Sequence, residues 1–171
     1  VRACASLYGG TSVGPVCKVG GEVQASVLQS HSNKQHGGFL GHSFVGSWVN
    51  LGAATNNSDL KNNYGNVRAE IDGESIDTGS ASVGAVIGDH SKTAIGTRLN
   101  TGTVAGIFCS ILADGFPPKA IPSFSWGTRD GFVAYELDAA LDTASRVMAR
   151  RGETMTPALE RRITELHRRA S

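Results

Sequence analysis

Between Ile87 and Phe116 the chain reads as five consecutive six-residue units: IGDHSK, TAIGTR, LNTGTV, AGIFCS and ILADGF. Their first positions, Ile87, Thr93, Leu99, Ala105 and Ile111, are mostly aliphatic. Their fifth positions, Ser91, Thr97, Thr103, Cys109 and Gly115, are all small. A strand needs only period two, and a helix about 3.6. A sustained period of six requires a chain that turns a corner every six residues, so that inward side chains stack in columns, rung above rung. The spacing predicts an all-β solenoid of hexapeptide repeats. An antiparallel sandwich with Gly-rich turns is the competing reading, and sandwiches do not hold a fixed period over so long a run.

The same grammar occurs in VGPVCK and VGGEVQ, from Val13 and Val19, and in VGSWVN and LGAATN, from Val45 and Leu51. Glycine follows the aliphatic residue in all four, where a corner needs positive φ or close backbone packing. Val19 and Val45 are not separated by a multiple of six, so a loop or short rung is expected between them. A narrow interior also suits the composition, 40% apolar but only 6% aromatic. A net charge of +1 gives no hint of nucleic-acid binding, which usually shows as a basic face. Three widely spaced cysteines read as buried thiols in a reducing compartment, hence the cytoplasm. No apolar run reaches membrane-spanning length, and the opening residues do not read as a signal peptide. Val1 enters in mid-pattern, as expected of a domain from a longer protein.

The solenoid is expected over residues 1–127, with an excursion at about 56–82 where the six-fold pattern lapses. In that excursion Val67, Ala69 and Ile71 alternate as in a strand, and Asp72-Gly73 reads as a hairpin turn. Pro117, Pro118 and Pro122 break the pattern, and residues 128–171 form a helical extension. Leu137, Ala140, Leu141, Ala144, Val147 and Met148 make one apolar stripe, with Gly152 placed to end the helix. Thr156-Pro157 reads as the start of a second helix, lined by Leu159, Ile163 and Leu166. Arg168 and Arg169 at its end read as a solvated face.

The stretch from Ser30 to Tyr64, with SNKQHGGFLGHS and WVNLGAATNNSDLKNNY, carries a specific resemblance, extended by GDHSK, NTGTV and IPSFSWG. It resembles the C-terminal acetyltransferase domain of bifunctional sugar-1-phosphate nucleotidyltransferases that make UDP-N-acetylglucosamine, in a variant bacterial family. The resemblance covers roughly residues 10–127. It implies a left-handed parallel β-helix with a C-terminal α-helical tail, whereas ordinary parallel crossovers are right-handed. It also implies a homotrimer with active sites between subunits, and an upstream nucleotidyltransferase domain outside this chain. The implied reaction is acetyl-CoA-dependent N-acetylation of an amino-sugar 1-phosphate, glucosamine 1-phosphate foremost.

Residue by residue, the resemblance puts the catalytic base on His36, and histidine is the side chain that most often serves in such proton transfer. It puts Asn50 at the acceptor, and Ala53 and Ala113 at acetyl-CoA. Phe39 stands where better-known relatives have tyrosine, Gln24 where they have lysine and Asp59 where they have asparagine. Phe39 and Asp59 therefore remain candidate substrate contacts of altered chemistry. Lys61 and Arg68, in the excursion, are candidate cations for a sugar phosphate or CoA. The plainer readings stand beside these: His36 as a loop histidine, Asn50 as a cap on stacked turns, Lys61 and Arg68 as solvated, Trp48 and Trp126 as packing residues.

Two other functions fit parts of the pattern. The departures at Phe39, Gln24 and Asp59 suit a catalytically silent trimerisation domain. His31 and His36 form an H-x4-H pair like that of trimeric left-handed β-helix carbonic anhydrases, which bind zinc between subunits. His42 or His90 would then have to supply a third ligand. No metal is expected on the acetyltransferase reading.

Overall fold

Ile87, Thr93, Leu99, Ala105 and Ile111 are all buried, and they lie on successive faces of a three-sided prism. In the computed structural model, which describes residues 1–112, 115–128 and 131–170, the chain winds as a parallel β-solenoid, a left-handed β-helix with a helical tail. The first face holds Ser6–Leu7, Glu22–Gln24 and Phe39–Gly41, followed by Asn56–Asn57 paired with Arg98–Leu99. The second stacks six strands, from Ser12–Val13 to Ala120–Ile121. The third runs through Lys18–Val19, Asn33–Lys34, the bridge residue Asn50, Lys92–Thr93, Ser110–Ile111 and Ser125–Thr128.

Register explains where the six-fold period fails. Ser12 pairs with Val27, Val27 with Phe44, Val86 with Val104 and Val104 with Ala120, so these turns take 15, 17, 18 and 16 residues. Only the 18-residue turn is three full hexads. The corners elsewhere are shortened while the inward column (Leu28, Val45, Ile87, Ala105, Ile121) stays in line.

Small fifth-position residues satisfy the buried backbone at the corners. Ser32 Oγ accepts from the Val49 N–H and donates to the Gly46 carbonyl at 2.6 Å. Ser91 Oγ accepts from the Cys109 N–H and donates to the Gly106 carbonyl at 2.8 Å. Paired in this way, buried polar groups avoid the cost of desolvation without a partner. The glycines after the aliphatic positions serve close packing: a Cβ at Gly20 would collide with the Gln35 carbonyl oxygen, and one at Gly52 with that of Ala94.

At one edge of the prism the left-handed backbone falls on larger residues. His31, Trp48, His90, Phe108 and Phe124 all have φ of 55–62°, uncommon for non-glycine residues. They lie on the edge between the second and third faces, and their rings pile into one column. His31 stacks on Trp48 at 4.1 Å, His90 on Phe108 at 4.7 Å and Phe108 on Phe124 at 5.0 Å between centroids. Trp48 and His90 are 6.0 Å apart, and His167 meets Phe124 edge-on.

Helices α1 (Leu137–Ala149) and α2 (Pro157–Ala170) cover this column. Ala140, Ala144 and Ile163 pack with Phe108, Phe124 and Tyr135. Gly152, φ 76°, follows the end of α1, and the Thr156 hydroxyl caps α2 by accepting from the Leu159 N–H. The end of the solenoid is closed by Gly131–Ala134, antiparallel to Ser125–Thr128. Among the described residues no helix is long and apolar enough to cross a membrane.

Asn56–Asn57 belongs to a rung, and the departure from the solenoid follows it. Arg68–Ile71 and Glu74–Asp77 form an antiparallel hairpin about Asp72-Gly73, both with positive φ, 51° and 80°, as a primed turn requires. The hairpin lies back on the later rungs, where Lys119 Nζ donates to the Arg68 carbonyl. The expectation of three buried thiols needs correction: Cys109 is buried, Cys17 is half-buried and Cys4 is exposed, and all three are free.

Candidate functional site

Residues 17 apart are neighbours between the second and third complete turns, as in Asn33 paired with Asn50. His36-Gly37 therefore lies over Ala53-Ala54, and the Ala54 N–H donates to the Gly37 carbonyl at 2.9 Å. The corner brings the His36 and Ala53 candidates onto adjacent rungs, with Asn50 three residues before Ala53 on the third face. His36 is exposed. Gln35 Nε2 lies 3.1 Å from His36 Nε2, so the Gln35 amide is the imidazole's side-chain neighbour.

The corner is anchored from inside. Lys34 occupies an inward position, 2% exposed, and its Nζ donates to the carbonyls of Gly20 at 3.0 Å and His36 at 2.8 Å. Burial holds its ammonium below the ordinary lysine range. Gly38, φ 120°, completes the turn; a Cβ there would collide with the Thr55 carbonyl oxygen.

Beside this corner a groove of about 300 Å³ runs between the third face and the C-terminal end of α1. Asn50 and Gln35 line it, so the groove begins at the group that touches His36. Asn50 Oδ1 accepts from Asn33 Nδ2, and Asn33 Oδ1 accepts from Arg151 at 2.7 Å. Lys18, Lys92, Arg150 and Arg151 also line the groove, with His31 and Trp48. Lys92 Nζ donates to the His90 carbonyl, and burial lowers its ammonium too.

The remaining candidates fall elsewhere. Phe39 and Asp59 meet on the first face, where a Cβ at Gly41 would collide with both the Phe39 ring and Asp59 Oδ2. Asp59 Oδ2 is also 2.7 Å from His42 Nδ1. Lys61 Nζ donates to the Asn66 carbonyl, and Arg68 to Ser75, with Asp77 at 3.9 Å. Both cations are thus held within the excursion, away from the His36 corner. Ala113 lies outside the described residues.

The histidines of the zinc reading do not converge within the chain. The His31 ring is stacked on Trp48, and His90 is buried in the aromatic column, its imidazole depressed to about 4 by burial and by Lys92. Among the described residues no group of three or more His, Cys, Asp or Glu is arranged to hold a metal ion. Sequence reasoning missed Lys18, Lys92, Arg150 and Arg151, which come from three separate parts of the chain. The one local signal was a pair of arginines just before the helix-ending Gly152.

No protein-family model matches the chain. The resemblance read from the sequence is borne out by a curated relative, a bifunctional sugar-1-phosphate nucleotidylyltransferase/acetyltransferase of Sulfurisphaera tokodaii, 31% identical over 90 residues. The match takes in 53% of this chain and 22% of that protein, so the chain spans about a fifth of the relative's length. Among solved structures, the acetyltransferase domain of PglB from Neisseria gonorrhoeae, in complex with acetyl coenzyme A, is similar over 78% of this chain and 55% of that one. Its identity is 17% and its TM-score 0.36; at that level the likeness bears on neither the site nor the reaction.

Proposed function

We propose that the chain is an acetyl-CoA-dependent N-acetyltransferase acting on an amino-sugar 1-phosphate, with glucosamine 1-phosphate the leading acceptor. The observation that carries this reading is the exposed His36 imidazole on the rung beside Ala53, in contact with Gln35, which lines a groove together with Asn50. The acetyltransferase activity named for the curated relative supports the same reaction class.

In the proposed step the acceptor amine attacks the thioester carbonyl carbon. His36 takes a proton from the nitrogen as the C–N bond forms. The C–S bond then breaks, and CoA leaves as a thiolate that is protonated in turn. A positioned base of this kind contributes about 10²–10⁴ in rate. The reading includes a homotrimer, in which a neighbouring copy closes the side of the His36 corner that is open in the single chain, and action in the cytoplasm.

Release of free thiol from acetyl-CoA in the presence of glucosamine 1-phosphate tests the reaction. His36→Ala is expected to lower kcat by about 10²-fold or more; unchanged turnover would remove His36 from the mechanism. A second reading, a silent assembly domain, is favoured by the engagement of Asp59 with His42 and of Lys61 and Arg68 within the excursion. A folded trimer that acetylates no amino-sugar phosphate would establish it.

A further inference from the structure

The groove beside Asn50 gathers four cationic side chains from distant parts of the chain. Lys18 and Lys92 are outward residues of the third face, on either side of Asn33 and Asn50 in the register. Arg150 and Arg151 arrive from the C-terminal end of α1. Among the described residues lining the groove none is acidic. The carboxylate beside it, Glu153, is 3.8 Å from His31.

The partners of these cations leave their charge uncompensated. Arg151 donates to the Val16 carbonyl and to Asn33 Oδ1, and Lys92 to the His90 carbonyl. All three acceptors are neutral. Lys18 and Arg150 have no side-chain hydrogen bond among the described residues. Four positive charges held close together repel one another, and desolvation adds to the cost of those half-buried. An anion entering the groove relieves both, with charge-assisted hydrogen bonds from a guanidinium and an ammonium.

We propose that this groove binds the phosphate groups of a substrate, and that the helical extension is thereby part of the binding site. A volume of about 300 Å³ is at the small end of ligand sites and fits a phosphate ester or a diphosphate, not a whole coenzyme. The ligand class follows from the acyltransferase reading, on which this inference rests: the phosphates belong either to CoA or to the sugar 1-phosphate. Trp48, in the groove wall, reports on occupancy.

The test is titration of the full chain with pyrophosphate, CoA and glucosamine 1-phosphate separately, read by calorimetry and tryptophan fluorescence. Lys18→Gln/Arg150→Gln alters the two cations that hold nothing else in place. This double variant is expected to raise Kd about tenfold or more for at least one probe, with a weaker salt dependence than the parent. Arg168→Gln/Arg169→Gln, whose arginines pair with Glu165, is expected to leave Kd unchanged.

Weakening for CoA and pyrophosphate alone assigns the groove to the coenzyme; weakening for the sugar phosphate alone assigns it to the acceptor. A Kd within twofold of the parent for all three probes, or no binding to the parent, overturns the proposal. Weakened binding in the variant with no acetyl transfer by the parent upholds the groove and removes the transferase reading. Transfer by the parent with binding unchanged in the variant does the reverse.

Discussion

From inside the solenoid, Lys34 Nζ donates to the main-chain oxygen of His36 at 2.8 Å, so a core residue sets the backbone of the exposed imidazole two positions on. The same ammonium holds the Gly20 carbonyl of the preceding turn. A buried charge without a carboxylate partner costs stability, but it satisfies two carbonyls that an apolar residue would leave unpaired.

Lys34→Met is therefore expected to change the thermal midpoint by only a few degrees, because the two effects oppose. Hydrogen exchange at residues 35–38 is expected to quicken, and kcat for acetyl transfer to fall about tenfold through the displaced His36. The pH dependence changes too. Because burial lowers the Lys34 pKa in the fold, the unfolded chain binds more protons, and stability rises as pH climbs through the lowered value toward 10.5. The variant is expected to show a smaller alkaline rise, with Lys92 supplying the remainder.

His90 governs the acid side. Its pKa is lowered to about 4 by burial and Lys92, from 6.5, so protonation favours the unfolded chain. Stability is expected to fall as pH drops from about 6.5 through about 4, by about 3 kcal/mol from this group. His90→Phe keeps a ring between Trp48 and Phe108 and removes the unpartnered Nδ1. Urea midpoints measured between pH 4 and 7 are expected to flatten by that amount in the variant.

Adjacent glycines at the His36 corner are expected to behave oppositely. Gly37 has open space where a Cβ would go, whereas Gly38 has φ 120° and the Thr55 carbonyl in the way. Gly37→Ala is expected to shift stability by less than about 0.5 kcal/mol. Gly38→Ala is expected to cost about 3 kcal/mol and to abolish transfer activity. Circular-dichroism melts and the thiol-release assay check both.

Asn57 does the work of a strand with its side chain. Its Oδ1 accepts from the Gly41 N–H at 2.8 Å and its Nδ2 donates to the Gly41 carbonyl at 2.9 Å, in a buried position. Asn57→Asp keeps the acceptor, loses the donor and buries a charge near Asp59. A loss of about 3 kcal/mol is expected in chemical denaturation.

Inward positions repeated in register made the solenoid legible from Ile87 onward, because every turn there needs the same small or aliphatic residue. His36, Asn50 and Ala53 could be put forward together as candidates only through the motifs around them, and the fold sets His36 and Ala53 on adjacent rungs. Lys34 was not, since lysine in a sequence reads as surface, and only the fold reveals two carbonyls waiting for it. The aromatic column was hidden by unequal turns: His31, Trp48, His90, Phe108 and Phe124 share an edge without sharing a constant spacing. The groove cations were hidden for the same reason, compounded by a helix that returns to the first turns from the far end of the chain.

That return has a mechanical consequence. A stack of repeats touches only its neighbours and unravels from whichever end is weaker. Here Arg151 grips Val16 and Asn33 while α1 and α2 rest on Phe108 and Phe124. Top and bottom are strapped together, so the spring cannot fray coil by coil without first letting go of its clasp.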